Sequence, residues 1–214
     1  MANQYYSQAN LLELFELIGS IDGNEYAEFE EFKAICCPES IWPNQLVEFD
    51  PRADQLETAV DELERTVTEN DLLNLLMLDA FAKLEVVSKL SGRGYKRGQW
   101  TAMSTDLRSY ALHESESDLQ IDVVENEEQL TQWIRVAERA LMGGHPLKEN
   151  IFTELLNDDR AELYLGSIKG EPMATAFIFE SSDSVGIYFV SVDESHRGRG
   201  YRAGLTLRFL NEAK

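Results

Sequence analysis

Apolar and polar positions recur along this chain with helical and strand-like periods, and the changes between them mark out its elements. Residues 9–35 read as two short helices, "NLLELFELIG" and "NEYAEFEEFKAI", split by the turn Asp22-Gly23. "QLVEFD" (45–50) reads as a strand after the breaker Trp42-Pro43-Asn44. Leu56, Val60, Leu63 and Val67 recur at i, i+4, i+7 and i+11, which predicts one face of a helix starting near Pro51. "DLLNLLML" (71–78) fits a buried strand or the start of a longer helix, and periodicity does not decide between them. Residues 80–91 are expected to be helical, and "YKRGQWTAMSTDL" (95–107) to form a strand bent at Gly98.

"HESESD" (113–118) is charged, serine-containing and free of large apolar residues, so it is read as a domain boundary. Two domains follow, 1–113 and 114–214. In the second, "LQIDVV" (119–124) alternates like a strand. Asn126 and Gln129 resemble a capping pair, and Leu130, Trp133, Ile134, Ala137 and Leu141 form a helical stripe ended by Gly143-Gly144. A short helix is expected at 147–156. "AELYLGSI" (161–168), a turn at Lys169-Gly170 and "PMATAFIFE" (172–180) predict a hairpin. "VGIYFVSV" (185–192) is a nearly all-apolar third strand, read as central, with Tyr188, Val190 and Val192 on one face and Ile187 and Phe189 on the other. A helix then runs from about Tyr201 to Glu212. The order is β-α-α-β-β-β-α, and the fold class is α/β (α+β).

Composition changes the picture at two points. The 214 residues carry 39 acidic and 19 basic groups, a net charge of −20 spread over both halves. Such a field repels phosphate backbones and anionic membranes, which argues against non-specific nucleic-acid binding; it either attracts a cationic substrate or serves solubility alone. The two cysteines, Cys36 and Cys37, are sequence neighbours, with no C-x2-C metal spacing. No metal is expected. With no signal peptide and no apolar run of ~18 residues, the chain reads as cytoplasmic.

Against that acidic background, "DESHRGRGYRAGLTLRF" (193–209) concentrates Arg197, Arg199, Arg202 and Arg208 around Gly198 and Gly200. An apolar strand runs into a glycine-rich loop that opens a helix. Free amides at a helix start attract anions, glycines let the backbone curl around a phosphate, and arginines fork onto its oxygens. The pattern is neither a P-loop nor a dinucleotide fingerprint.

The motif Arg197-Gly198-Arg199-Gly200-Tyr201-Arg202, following a β-β-β meander, resembles R/Q-x-x-G-x-G/A of the GNAT superfamily of acyl-CoA N-acetyltransferases. The resemblance covers all of the second half. "GIYFVSVDESHRGRGYRAGLTL" (186–207) is similar to a subgroup in which a degenerate GNAT-like region precedes the catalytic domain, and "GYKRGQWTAMSTDL" (94–107) resembles the end of that region. The resemblance implies acetyl-CoA or another acyl-CoA as cosubstrate. Backbone groups of Val190 and Val192 would pair with its pantetheine arm, amides from Gly198 to Arg202 would hold its pyrophosphate, and Arg197 and Arg199 would add charge. Strand amides would polarise the thioester carbonyl while a general base deprotonates a primary amine, small or peptidyl.

Two departures bear on this. Arg202 stands where the family has Gly or Ala, and either points outward to add a phosphate contact or crowds the site. The sequence also stops where a family member continues with a fifth strand, a fourth helix and two more strands. Strand 185–192 is then an exposed edge, expected to pair in a homodimer or swapped assembly. The alternative function is an inactive GNAT remnant serving as an acyl-CoA-binding or protein-interaction module. No catalytic residue is assigned. His196 reads as a variable loop position, and His113 and His145 as solvent-facing. Glu180 and Asp193 read as solvated strand ends, Tyr188 as core or cleft lining, and Trp42, Trp100 and Trp133 as core. Arg93, Lys96 and Arg97, beside Gly92 and Gly94, read as a turn.

Overall fold

The computed structural model of the chain describes residues 2–73, 75–78, 82–98, 103–108, 110 and 117–212, with side chains described from Tyr6 to Asn211. They divide into two compact units, one of Met1–Leu14 with Ala102–Lys214, the other of Phe15–Thr101. The expected boundary at 113–114 lies outside the described residues, as do His113 and Trp100. The fold is mixed α+β, and the described residues form two four-stranded sheets.

In the Phe15–Thr101 unit the sheet has the order β1 (Glu25–Glu28), β2 (Lys33–Cys36), β3 (Gln45–Val47), β4 (Leu76–Met77). The first three strands are antiparallel, and β4 runs parallel to β3. Helices α2 (Leu56–Glu69) and α3 (Leu84–Gly92) complete it. Val60 and Leu63 of the expected α2 stripe are fully buried with Phe32, Ala34 and Leu46. Arg93 pairs with Glu57 at 3.1 Å and Glu64 at 3.5 Å, and also with Asp61, while Lys89 pairs with Glu57. This ties α3 to the outer face of α2 and gives Arg93 a structural partner set.

Three expectations for this stretch are corrected. "NEYAEFEEFKAI" is a β-hairpin, not a helix. Its Phe29 N–H donates to the Phe32 carbonyl at 2.9 Å, and the two rings stack 4.5 Å apart. Strand pairing and burial of Phe32 and Ile35 override a spacing that suits a helix equally well. The first helix, α1 (Ala2–Gly19), begins before the expected residue 9. Residues 95–98 and 103–106 hold no strand, and residues 99–102 of that expected strand lie outside the described ones.

The other unit follows the predicted order. It contains β5 (Gln120–Val123), α4 (Glu127–Ala140), α5 (Glu149–Leu156), β6 (Ala161–Ile168), β7 (Glu171–Glu180), β8 (Val185–Val192) and α6 (Tyr201–Glu212). The sheet is antiparallel throughout in the order β5-β6-β7-β8. Asn126 Oδ1 accepts from the Gln129 amide at 3.0 Å as an N-cap does, and Gln129 Oε1 reaches one residue past the cap, accepting from the Glu125 amide at 2.8 Å. Lys169 and Gly170, at φ 52° and 82°, close the β6–β7 hairpin with the left-handed pair that suits right-twisted strands.

Alternation along β7 separates two layers. Ala174, Ala176 and Ile178 face α6 and pack with Leu205 and Phe209. Phe177 faces α4 and packs on Trp133, which is fully buried. Apolar composition alone reads β8 as central, and the absence of a fifth strand reads it as an edge; among the described residues it is the sheet's edge. Its apolar side chains are needed because α4 and α6 each pack against it. Asn10 of α1 secures the β7–β8 turn. Its amide nitrogen donates to the Phe179 and Ser184 carbonyls at 3.2 and 3.0 Å, and its Oδ1 accepts from the Tyr188 hydroxyl at 2.5 Å.

Gly166 lets β6 and β7 approach. A Cβ there would fall 2.9 Å from Ala174 Cβ and 3.2 Å from Leu119 Cδ1. Gly166→Ala is expected to destabilise the chain by about 1–3 kcal/mol, read from the midpoint of urea unfolding. An unchanged midpoint would show that this strand pair is not closely packed.

Candidate functional site

The candidate site is built from the end of β8, the turn after it and the start of α6. Val185–Tyr188 pair with Glu180–Phe177 in one register, and Ser191–Val192 pair with Thr175–Ala174 in a register shifted by one residue. Phe189 and Val190 therefore both lie opposite Ala176, forming a β-bulge, with Phe189 at φ 52°. A bulky side chain at positive φ is uncommon and needs support from its surroundings. The Phe189 ring has that support, packing against Trp133 at 5.4 Å and against Phe152 and Phe177 at 5.6 Å.

The bulge changes which residues share a face. Strict alternation places Tyr188 with Val190 and Val192. Instead Tyr188 and Phe189 both reach Phe177 on the α4 side, while Ile187, Val190 and Val192 pack towards α6. An inserted residue reverses the strand's phase, and no glycine in "GIYFVSV" after Gly186 signals it. Two polar residues within apolar strands do carry a signal. Thr175 and Ser191 are 0% and 4% exposed and lie directly opposite one another.

The Asp193 amide donates to the Met173 carbonyl at 2.8 Å, which sets the phase of the ladder beyond the bulge. Ser191 then turns its backbone groups towards β7, and Val192 turns its own towards the free side. Thr175 Oγ1 donates to the Phe189 carbonyl at 3.0 Å. A planar trans peptide holds its carbonyl and amide in opposite directions, so the Val190 N–H also faces the free side. The structure thus brings expected Val190 and Val192 to one open edge.

After β8 comes a single 3-10 turn, Glu194–His196, and then the arginine–glycine loop. Gly198 and Gly200 lie at φ 79° and 83°, and nothing is within 4 Å of a Cβ built on either. Glycine is required there by backbone conformation, and the space above it is open. The amide of Gly204 bonds to the Gly200 carbonyl at 3.0 Å, which leaves the amides of Tyr201, Arg202 and Ala203 at the open helix start. No acidic residue lies in that first turn, while Arg199 and Arg202 are exposed. Tyr201 is buried and donates its hydroxyl to Asp118 at 2.9 Å, fixing the turn to the unit's core.

Arg197 behaves differently from its neighbours. Its Nε donates to the Val192 carbonyl and an Nη to the Ala140 carbonyl, both at 3.0 Å. It braces the loop against the last turn of α4 and engages a carbonyl on the free side of β8. Arg139 adds a second tie, donating to both carboxylate oxygens of Asp193 at 2.8 and 2.5 Å. That bond raises the Arg139 pKa further and commits Asp193 to structure.

The remaining candidates are scattered. Glu180 is exposed at the far end of β7, and His145 is exposed after Gly143-Gly144. His196 Nδ1 contacts Ser195 Oγ at 2.9 Å. Burial pushes the Tyr188 phenol well above its ordinary pKa, which keeps it a donor to Asn10. A depression of about 470 Å³ is lined by Arg135, Glu138, Arg139, Gly143 and Gly144. Two of its charged groups are already engaged, Arg139 with Asp193 and Glu138 with the Leu147 amide. Among the described residues no group of three or more His, Cys, Asp or Glu could hold a metal ion, and no helix is long and apolar enough to cross a membrane.

A family model described as an acetyltransferase (GNAT) domain matches residues 104–213. A search of curated proteins finds no match. Among solved structures, the chain is similar to a GCN5-related N-acetyltransferase from Kribbella flavida, at 16% identity over 99% of this chain and 80% of that one, with a TM-score of 0.65. It is also similar to a functionally unknown conserved protein from Staphylococcus epidermidis ATCC 12228, at 14% identity over 91% and 81%, with a TM-score of 0.60. At these identities the likeness is one of fold.

Arg197→Met keeps a long stem and loses both bonds to carbonyls. It is expected to lower stability by about 1–2 kcal/mol in urea unfolding. A variant as stable as the parent would show that the loop needs no such brace.

Proposed function

The chain belongs to the GNAT acetyltransferase family, and on that footing we propose that it transfers an acetyl group from acetyl-CoA to a primary amine, small or peptidyl. The observation that carries the proposal is the open turn into α6. Left-handed Gly198 and Gly200 precede unpaired helix amides, with Arg199 and Arg202 exposed beside them. This suits a pyrophosphate, which backbone amides, the helix dipole and guanidinium groups all favour. Arg202 is exposed, which fits its adding a phosphate contact. Arg197 acts here by holding the loop.

Bound acetyl-CoA supplies the acetyl group as a thioester. The outward Val190 N–H is suited to donating to that carbonyl oxygen as charge builds on it. The Val192 N–H offers the next donor along the edge for an extended pantetheine arm that adds like a strand, its carbonyl being held by Arg197. The amine nitrogen bonds to the carbonyl carbon as the carbon–sulfur bond breaks. The amine gives up a proton and the sulfur takes one. A chain of net charge −20 favours the approach of a cationic amine. The Val185–Tyr188 stretch of the β8 edge, before the bulge and clear of the arm, also supports pairing with a second copy of the chain. Light scattering is expected to give twice the chain mass, and a strictly monomeric particle overturns that part.

Calorimetric titration of acetyl-CoA tests the reading directly. A Kd on the order of micromolar is expected for the parent chain. Gly200→Glu sets a carboxylate among the amides and is expected to abolish the heat while leaving the far-ultraviolet spectrum intact. No heat from the parent at millimolar acetyl-CoA overturns the proposal. Binding with no turnover of any amine in a panel favours an acyl-CoA-binding module instead.

A further inference from the structure

The buried hydroxyls behind the β8 bulge have no role in the chemistry proposed so far, and they are costly to bury unless bonded. Thr175 is 0% exposed, and its Oγ1 lies 3.0 Å from the Phe189 carbonyl and 2.6 Å from Ser191 Oγ. A hydroxyl has one proton. Since Thr175 donates to the Phe189 carbonyl, Ser191 is the donor in the pair, and the chain runs Ser191 O–H to Thr175 O–H to the Phe189 carbonyl. Such a relay polarises in one direction and strengthens its last bond. On the facing strand, the carbonyl of Ala176, the residue opposite the bulge, accepts from Trp133 Nε1 at 3.1 Å. Both strands are therefore held by side-chain donors where their register breaks.

The peptide gripped by Thr175 at its carbonyl end presents the Val190 N–H at its other end. We propose that Thr175, backed by Ser191, is a positioning residue for acyl transfer, because its hydroxyl fixes the peptide that aims the Val190 amide at the thioester oxygen. This rests on the function proposed above. The hydroxyl touches no substrate and acts only through the peptide. Removing it leaves Phe189 at positive φ with its ring contacts and without the bond that sets its carbonyl, so the amide direction spreads.

The test compares Thr175→Val, which keeps the shape, with Thr175→Ser, which keeps the hydroxyl. The direction of the Val190 N–H is read from its residual dipolar coupling, which needs no ligand. The kinetics use acetyl-CoA with whichever amine the parent accepts from a lysine peptide, a diamine and an amino sugar. Loss of a whole oxyanion donor lowers kcat by roughly 10²–10³, so a loosened one should lower it about tenfold. Thr175→Val is expected to shift the coupling and lower kcat about tenfold, with KM for acetyl-CoA within about twofold, and Thr175→Ser to restore both. An unchanged coupling overturns the inference, as does a loss of activity that merely follows the fraction of folded protein. If Thr175→Val does not fold, Ser191→Ala replaces it and should move coupling and kcat the same way by less; no movement overturns the inference. If the parent accepts no amine, the proposed function fails, and the coupling alone decides whether Thr175 sets the peptide.

Discussion

The peptide between Phe189 and Val190 points its carbonyl at Thr175 and its amide at the open edge of β8, and the left-handed backbone of Phe189 makes this possible. An αL conformation is disfavoured by about 1–2 kcal/mol in a residue other than glycine. Here aromatic packing on Trp133, Phe152 and Phe177 surrounds the strained residue. Much of the unit's interior therefore bears on one turn of the backbone. A backbone donor is thereby delivered to the edge of the sheet.

Helix α4 is the element through which that support reaches the site. Trp133 near its middle donates to the Ala176 carbonyl, Arg139 near its end holds Asp193, and the Ala140 carbonyl receives Arg197. One helix thus contacts the strand facing the bulge, the residue just beyond β8 and the loop before α6. The carbonyls of its last turn lack helical partners, and a guanidinium is the natural group to satisfy them.

Much of this was legible in the sequence because local signals agreed. Turn residues at 169–170 and alternating apolar runs fixed β6 and β7, and the bounds of β8 and α6 match those read from the pattern. The arginine–glycine loop stood out for its chemistry against an acidic chain. The β1–β2 hairpin was not legible, because aromatic and acidic residues spaced three or four apart suit either element until packing chooses. Nor was the bulge, since phenylalanine gives no hint of a positive φ. Its one trace was a pair of small hydroxyls, Thr175 and Ser191, buried directly opposite one another in otherwise largely apolar strands. Asn10 left none, as its partners lie about 170 positions away in sequence.

The two-residue turn at Lys169-Gly170 bears on how the sheet assembles. Joining β6 to β7 closes a minimal loop, so little chain entropy is lost before ladder bonds begin to form. Strand β8 adds across the short Ser181–Ser184 turn. Strand β5, whose Ile121 lies opposite Gly166, joins only after the intervening chain with α4 and α5 has been drawn in. The bulged edge therefore belongs to the local part of the topology, where contacts between near neighbours in sequence favour fast formation.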